Sequence, residues 1–209
     1  MATSPAEPAP AFPRAPERFW NLPNTITLGR LIVVPALVAF PWFDGRLGSH
    51  VMAWLFIVSA VGDLVDGWLA RRGEQVTRIG KLLDPLVDKL MVTTALIVLL
   101  LLERVPEWAL GLVVVIVGRE LAVTGLRGIA SAGGHVVAAS GAGKIKTLSQ
   151  NVAIGCLLFP AGTLGVPNHD LGLTLLAVAT ALTLWSGYVY FANYFAAERA
   201  ASRAPGGES

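Results

Sequence analysis

The chain has 209 residues, 54% hydrophobic and 14% charged, with a mean hydropathy of +0.62 and a formal net charge of +2. A soluble domain carries about 25% charged residues, so this composition excludes a water-soluble globule and places the chain in the membrane class. The single cysteine, Cys156, lies in an apolar run and excludes an intrachain disulfide framework; the bland reading, a small apolar packing residue, suits it.

Residues 1–16 carry five prolines and no apolar stretch of signal-peptide length, and read as a disordered tail. Residues 17–23 mix charge with Phe19 and Trp20, the pattern of a short helix lying in the membrane interface. A spanning helix needs roughly 20 mostly apolar residues. Six segments meet that requirement, at about 24–43, 49–70, 82–102, 107–127, 145–164 and 171–195. Residues 200–209 read as a second disordered tail, which leaves 17–199 as one membrane domain without internal repeats. The expectation is an all-α membrane protein with six transmembrane helices and an N-terminal interfacial helix.

Lys and Arg placement sets the orientation. Arg14, Arg18, Arg30, Arg71, Arg72, Arg78, Lys81, Arg119, Arg127, Lys144, Lys146, Arg199 and Arg203 gather on one side, against Arg46 and Arg104 on the other. This predicts a multi-pass protein of the cell (inner) membrane with both termini in the cytoplasm. His50 and His169 fall in expected outer loops and His135 in a Gly-rich connection, all three exposed to solvent or headgroups.

Residues 61–89 read VGDLVDGWLARRGEQVTRIGKLLDPLVDK. On helices, Asp63 and Asp66 share a face at i, i+3, and Asp84 and Asp88 share one at i, i+4. Pro85 suits the first turn of a helix, where its missing N–H does no harm. Two hairpinned helix ends then aim four carboxylates at one point. Their mutual repulsion demands a cation, and oxygen ligands without His or Cys select Mg²⁺, Mn²⁺ or Ca²⁺. A single Asp reads equally as a helix cap or the partner of a nearby Arg; four ionisable groups at the edge of apolar segments point to function. Gly67 and Ala70 leave room for a ligand or a neighbouring helix, and the fork of Arg71 matches phosphate oxygens.

The spacing D-x2-D-G-x2-A-R-x8-G-x3-D-x3-D is met at Asp63, Asp66, Gly67, Ala70, Arg71, Gly80, Asp84 and Asp88. In this the chain resembles the CDP-alcohol phosphotransferases. The resemblance implies a six-helix fold, a homodimer, and an active site opening to the cytoplasm. It further implies two metal ions held by Asp63, Asp66 and Asp84 with participation of Asp88, Mg²⁺ being expected and Mn²⁺ the alternative. Asp88 is implied as general base for the acceptor hydroxyl. The CDP moiety is expected against Asp66, Gly67 and Arg71, with Thr77 a further nucleotide contact.

The opening LPNTITLGRLIVVP resembles the start shared by the phosphatidylglycerophosphate-forming and cardiolipin-forming branches, and assigns Asn24, Thr27 and Arg30 to CDP-diacylglycerol binding. Farther on, GREL, TGLR, VAAS and GKIKTLSQ resemble the phosphatidylglycerophosphate-forming branch more closely, because cardiolipin-forming members carry Asn where Lys146 stands. The implied reaction transfers phosphatidyl from CDP-diacylglycerol to sn-glycerol 3-phosphate, with no nucleic-acid partner. A doubly charged acceptor needs fixed cations, and Arg119, Arg127, Lys144 and Lys146 lie on the expected cytoplasmic side, with Glu120 placed to orient them by an ion pair. The positive-inside rule alone would put single basic residues there; as a cluster they favour phosphate binding. The alternatives at this stage are a sibling enzyme using phosphatidylglycerol as acceptor, and a cation transporter with acidic residues in its spans.

Overall fold

The computed structural model describes residues 21–42, 45–73, 78–132 and 142–203. Among these residues there are six α-helices and no strand: α1 (Leu22–Ala39), α2 (Gly45–Gly73), α3 (Arg78–Leu101), α4 (Leu110–Ala132), α5 (Ala142–Leu158) and α6 (Asn168–Arg203). The expected tail 1–16 and residues 17–20 of the expected interfacial helix lie outside the described residues. From Leu22 the chain is already α1, so an interfacial helix reaching 23 is not what the structure shows. At the other end α6 continues to Arg203, into the segment expected to be an unstructured tail.

Local chemistry explains several of the boundaries. The Asn21 side chain accepts from the Asn24 backbone N–H at 2.9 Å, satisfying one of the orphan donors of the first turn of α1, where Pro23 has no N–H to satisfy. After α3 the backbone reverses at Glu103 (φ 55°), and the Arg104 N–H returns to the Leu99 carbonyl at 2.9 Å. The last carbonyls of α5 are closed by two side chains. Arg104 donates to Leu157 O at 3.2 Å and to Leu158 O, while Asn168 Nδ2 donates to Cys156 O at 2.9 Å and Pro160 O at 3.1 Å. Arg104 also donates to Ser49 Oγ, tying α2 to this end of the bundle.

Pro85 stands inside α3, a correction to its expected place in a first turn. The helix begins a full two turns earlier, at Arg78, and the ring therefore removes one bond to the carbonyl four residues back. The histidines also differ from expectation. The His50 ring lies 5.6 Å from that of Phe159, and His169 Nε2 is 3.0 Å from Phe159 O, so both are partly buried against the α5–α6 connection. His135 lies outside the described residues.

Length and apolar content let four segments cross a membrane: Asn24–Trp42, Gly45–Asp63, Glu107–Ala130 and Asn168–Arg199. The six expected helices are present, but α5 has only 17 residues and α3 carries Asp84, Asp88 and Lys89 among its apolar residues. Ile32, Leu47, Val58, Leu101, Val114 and Trp185 are all exposed on the outside of the bundle. A continuous coat of this kind suits hydrocarbon and would drive association in water. Several apolar helices of this length fit a multi-pass membrane protein.

The interior is one apolar cluster running through Leu37, Met52, Phe56, Leu96, Leu99, Ile116, Ile154, Leu157 and Leu176. α1 packs on α2 and α3, α4 on α6, and the most extensive contact joins α5 to α6. That last contact depends on Gly172, where an added Cβ would come within 2.7 Å of Leu157 Cγ and 3.2 Å of the Ala153 carbonyl oxygen. Overpacking such a contact costs about 1–3 kcal/mol. Gly172→Val is therefore expected to lower the melting temperature of the detergent-purified protein, whereas an unchanged melting curve would show that the two helices do not pack this closely.

Candidate active site

The face of α1 that follows its N-terminal cap carries Asn24, Thr27 and Arg30, all buried. Thr27 Oγ1 donates to Asp84 Oδ1 at 2.5 Å. One turn farther on, Arg30 Nη1 donates to Asp63 Oδ1 at 2.5 Å, and Arg30 Nη2 stands 3.5 Å from Asp88 Oδ1. The i, i+3 spacing on α1 thus meets the i, i+4 spacing on α3, and Asp63 joins from α2. Arg30 is 4% exposed, so its charge is held by these carboxylates and not by bulk water.

Three of the four expected carboxylates, Asp63, Asp84 and Asp88, are in this way gathered around one helix face. Among the described residues no three acidic side chains close on a single point, because Arg30 lies between Asp63 and Asp88. Asp66, Gly67 and Arg71 belong to the backbone of α2 and Lys144 to that of α5; their side chains, like all of Thr77, lie outside the described residues. The donor chemistry fits a hard divalent cation: among the described residues the donors are the carboxylates of Asp63, Asp84 and Asp88.

The second half of the site begins one residue later. A single step along an α-helix turns about 100°, so Lys89 faces away from the Asp88 partners and toward α4. Its Nζ donates to Glu120 Oε2 at 2.7 Å. Glu120 Oε1 accepts from Lys146 Nζ on α5 and from Arg119 Nη1 at 3.2 Å. Arg119 reaches on to α6, donating from Nη2 to Ser186 Oγ at 2.8 Å. Gly187 permits that reach, since a Cβ there would sit 3.1 Å from Arg119 Cγ.

Glu120 therefore organises Arg119 as expected and Lys146 as well, and Lys89 is a third cation that sequence reasoning missed. Its signal was available in the Asp-Lys pair at 88–89, which a helix must divide between two faces. Arg127 is not brought to this group; it lies two turns along α4, 5.7 Å over the Tyr190 ring.

A narrow crevice between α3, α4 and α5 connects the two halves. Asp88, Lys89, Glu120, Lys146, Thr147 and Gln150 supply its polar wall, and Val92, Thr93, Ile116 and Val117 the rest. Asp88 thus touches both the carboxylate group and the cationic crevice. Arranged so, Lys89 and Lys146 offer positive charge to an anion while the Asp88 carboxylate stands at the same opening.

The profile of the CDP-alcohol phosphatidyltransferase family matches residues 20–185. The chain belongs to that family, whose members are divalent-metal-dependent enzymes. Among relatives, it is 41% identical to the CDP-diacylglycerol–glycerol-3-phosphate 3-phosphatidyltransferase of Bacillus subtilis, over 83% of this chain and 95% of that one. It is 37% identical to a probable phosphatidylglycerophosphate synthase of Mycobacterium tuberculosis, over 84% of this chain and 82% of that one. A 33% identical relative in Rickettsia felis, matched over 82% of this chain and 93% of its own, carries the same name as the Bacillus protein.

Asp63→Ala and Asp84→Ala, each removing an oxygen donor from the group around Arg30 and Thr27, are expected to abolish phosphatidyl transfer throughout a Mg²⁺ titration. Near-normal turnover at any Mg²⁺ concentration would remove that aspartate from the metal-holding set.

Proposed function

We propose that this chain transfers the phosphatidyl group of CDP-diacylglycerol to sn-glycerol 3-phosphate, giving phosphatidylglycerophosphate and CMP. The carrying observation is the crevice that places Asp88 beside Lys89, Glu120 and Lys146. The names of the relatives support the same reaction. A phosphate monoester brings about two negative charges at neutral pH, and three cations against the one carboxylate of Glu120 offer two positive charges in return.

In this reading Asp63, Asp66, Asp84 and Asp88 hold two Mg²⁺ ions, with Mn²⁺ an acceptable substitute. When bound, such ions polarise the phosphoryl oxygens and neutralise charge on the departing nucleotide. Asn24, Thr27, Arg30, Gly67, Arg71 and Thr77 surround the CDP end of the donor. Lys89, Arg119 and Lys146 hold the acceptor phosphate, with Lys144 at the same mouth, while Arg127 at Tyr190 steers the incoming anion from farther along α4. Asp88 accepts the proton of the attacking hydroxyl, whose oxygen bonds to the phosphatidyl phosphorus as the bond to the CMP oxygen breaks and CMP leaves with the electron pair. General-base assistance of this kind is typically worth about 10²–10⁴-fold.

The Lys and Arg distribution supports a cytoplasmic site in the inner cell membrane with both termini on that side. All six helices then cross, α3 and α5 shielding their polar residues inside the bundle. The family resemblance supports a homodimer.

Purified protein in detergent tests the reaction. CMP release from CDP-diacylglycerol is expected only when glycerol 3-phosphate is present; release with phosphatidylglycerol instead would identify a cardiolipin-forming enzyme. In the same assay Lys146→Ala should raise the KM for glycerol 3-phosphate about ten- to hundredfold and leave the KM for the donor nearly unchanged, because a hydrogen bond to a charged group is worth about 1.5–3 kcal/mol. Unaltered acceptor kinetics would reduce Lys146 to a topological signal.

A further inference from the structure

Among the described residues, one side-chain oxygen lining the crevice is buried without a hydrogen-bond partner. Gln150 lies on α5 four residues after Lys146 and so on the same helix face, one turn deeper into the bundle. Its side chain lines the crevice, the residue is 4% exposed, and its Oε1 is buried without a hydrogen-bond partner among the described residues. Val92 and Ile116, both buried, line the same crevice. A buried carboxamide oxygen left unpaired in such surroundings is costly. It is retained where a bound ligand or an ordered water supplies the missing donor.

We propose that Gln150 Oε1 accepts the hydrogen of the acceptor's free secondary hydroxyl, making Gln150 the residue that selects a vicinal diol phosphate over a simple hydroxyalkyl phosphate. This deepens the reading of the site as an acceptor pocket for glycerol 3-phosphate and rests on it. That molecule carries a reacting primary hydroxyl at one end and a phosphate at the other, with one secondary hydroxyl between them. The crevice offers a partner for each of the three groups: Asp88 for the reacting hydroxyl, Lys89 and Lys146 for the phosphate, with Arg119 joined to them through Glu120, and the Gln150 oxygen for the secondary hydroxyl. The neighbouring Thr93 and Thr147 hydroxyls also line the slot, but only the Gln150 oxygen is buried and unpaired. A site built to bond a substrate hydroxyl discriminates against the analogue that lacks it, because the site's own polar atom is then left unsatisfied.

The experiment compares glycerol 3-phosphate with 3-hydroxypropyl phosphate, which keeps the primary hydroxyl and the phosphate and lacks the secondary hydroxyl. Wild-type enzyme in detergent is expected to prefer glycerol 3-phosphate by at least about tenfold in kcat/KM. Gln150→Met, which keeps the volume and removes the acceptor oxygen, should cut kcat/KM for glycerol 3-phosphate by a similar factor while leaving 3-hydroxypropyl phosphate unchanged or improved. Equal use of the two acceptors by the wild type would overturn the proposal without any variant. An equal fall for both acceptors in Gln150→Met would overturn it too, by marking Gln150 as a packing residue. If wild-type protein releases CMP with neither acceptor, the reaction itself has been misassigned, a result distinct from either of these.

Discussion

A full positive charge, that of Arg30, sits almost wholly out of contact with solvent, and the arrangement of the site follows from how that charge is met. Asp63 on α2 lies 2.5 Å from one guanidinium nitrogen, and Asp88 on α3 lies 3.5 Å from the other. The two contacts tie α1 to α2 and α3 at one point. Thr27 adds a bond to Asp84 one turn away and fixes the register of α1 against α3. With this register set, Asp63, Asp84 and Asp88 gather around one face of α1 and, among the described residues there, outnumber the single guanidinium, an excess that the proposed metal ions would balance.

The rest of the site is the complement of that excess. Around Glu120 the balance is reversed, with Lys89, Arg119 and Lys146 sharing one carboxylate. Opposite excess charges on two sides of one helix suit the proposed reaction, in which metal ions would bridge the carboxylates to the anionic donor while the acceptor's phosphate meets the cations directly. α3 accomplishes the separation with one peptide unit, between Asp88 and Lys89. At the far end of the bundle, by contrast, Arg104 meets carbonyls and a hydroxyl, and its role is to close α5 against α2.

Much of this was legible in the sequence, because apolar length and carboxylate spacing are local properties. The six helices follow from apolar runs separated by Gly, Pro and charge, and the grouping of Asp63, Asp84 and Asp88 follows from helical periodicity. What escaped was whatever depends on neighbours distant in the chain. Pro85 reads as a helix start, but α3 begins two turns earlier, at Arg78, and runs through it. His50 and His169 read as loop residues, but Phe159 draws both inward. Lys89 was passed over because its partner Glu120 is a long-range contact, and Arg127 was grouped with Arg119 although two turns of helix separate them. Gln150 closes the GKIKTLSQ stretch, but its unpaired oxygen is a property of the packed crevice and not of the sequence.

The central claim is that one aspartate, Asp88, borders both a metal-holding group and an acceptor crevice. A crystal structure of the protein with Mn²⁺ and glycerol 3-phosphate, the metal located by its anomalous scattering, addresses it most directly. The expected result is Mn²⁺ on Asp63 and Asp84, with the acceptor phosphate among Lys89, Arg119 and Lys146 and its primary hydroxyl turned toward Asp88. Mn²⁺ bound away from these aspartates, or a phosphate seated outside that group of cations, would contradict the account.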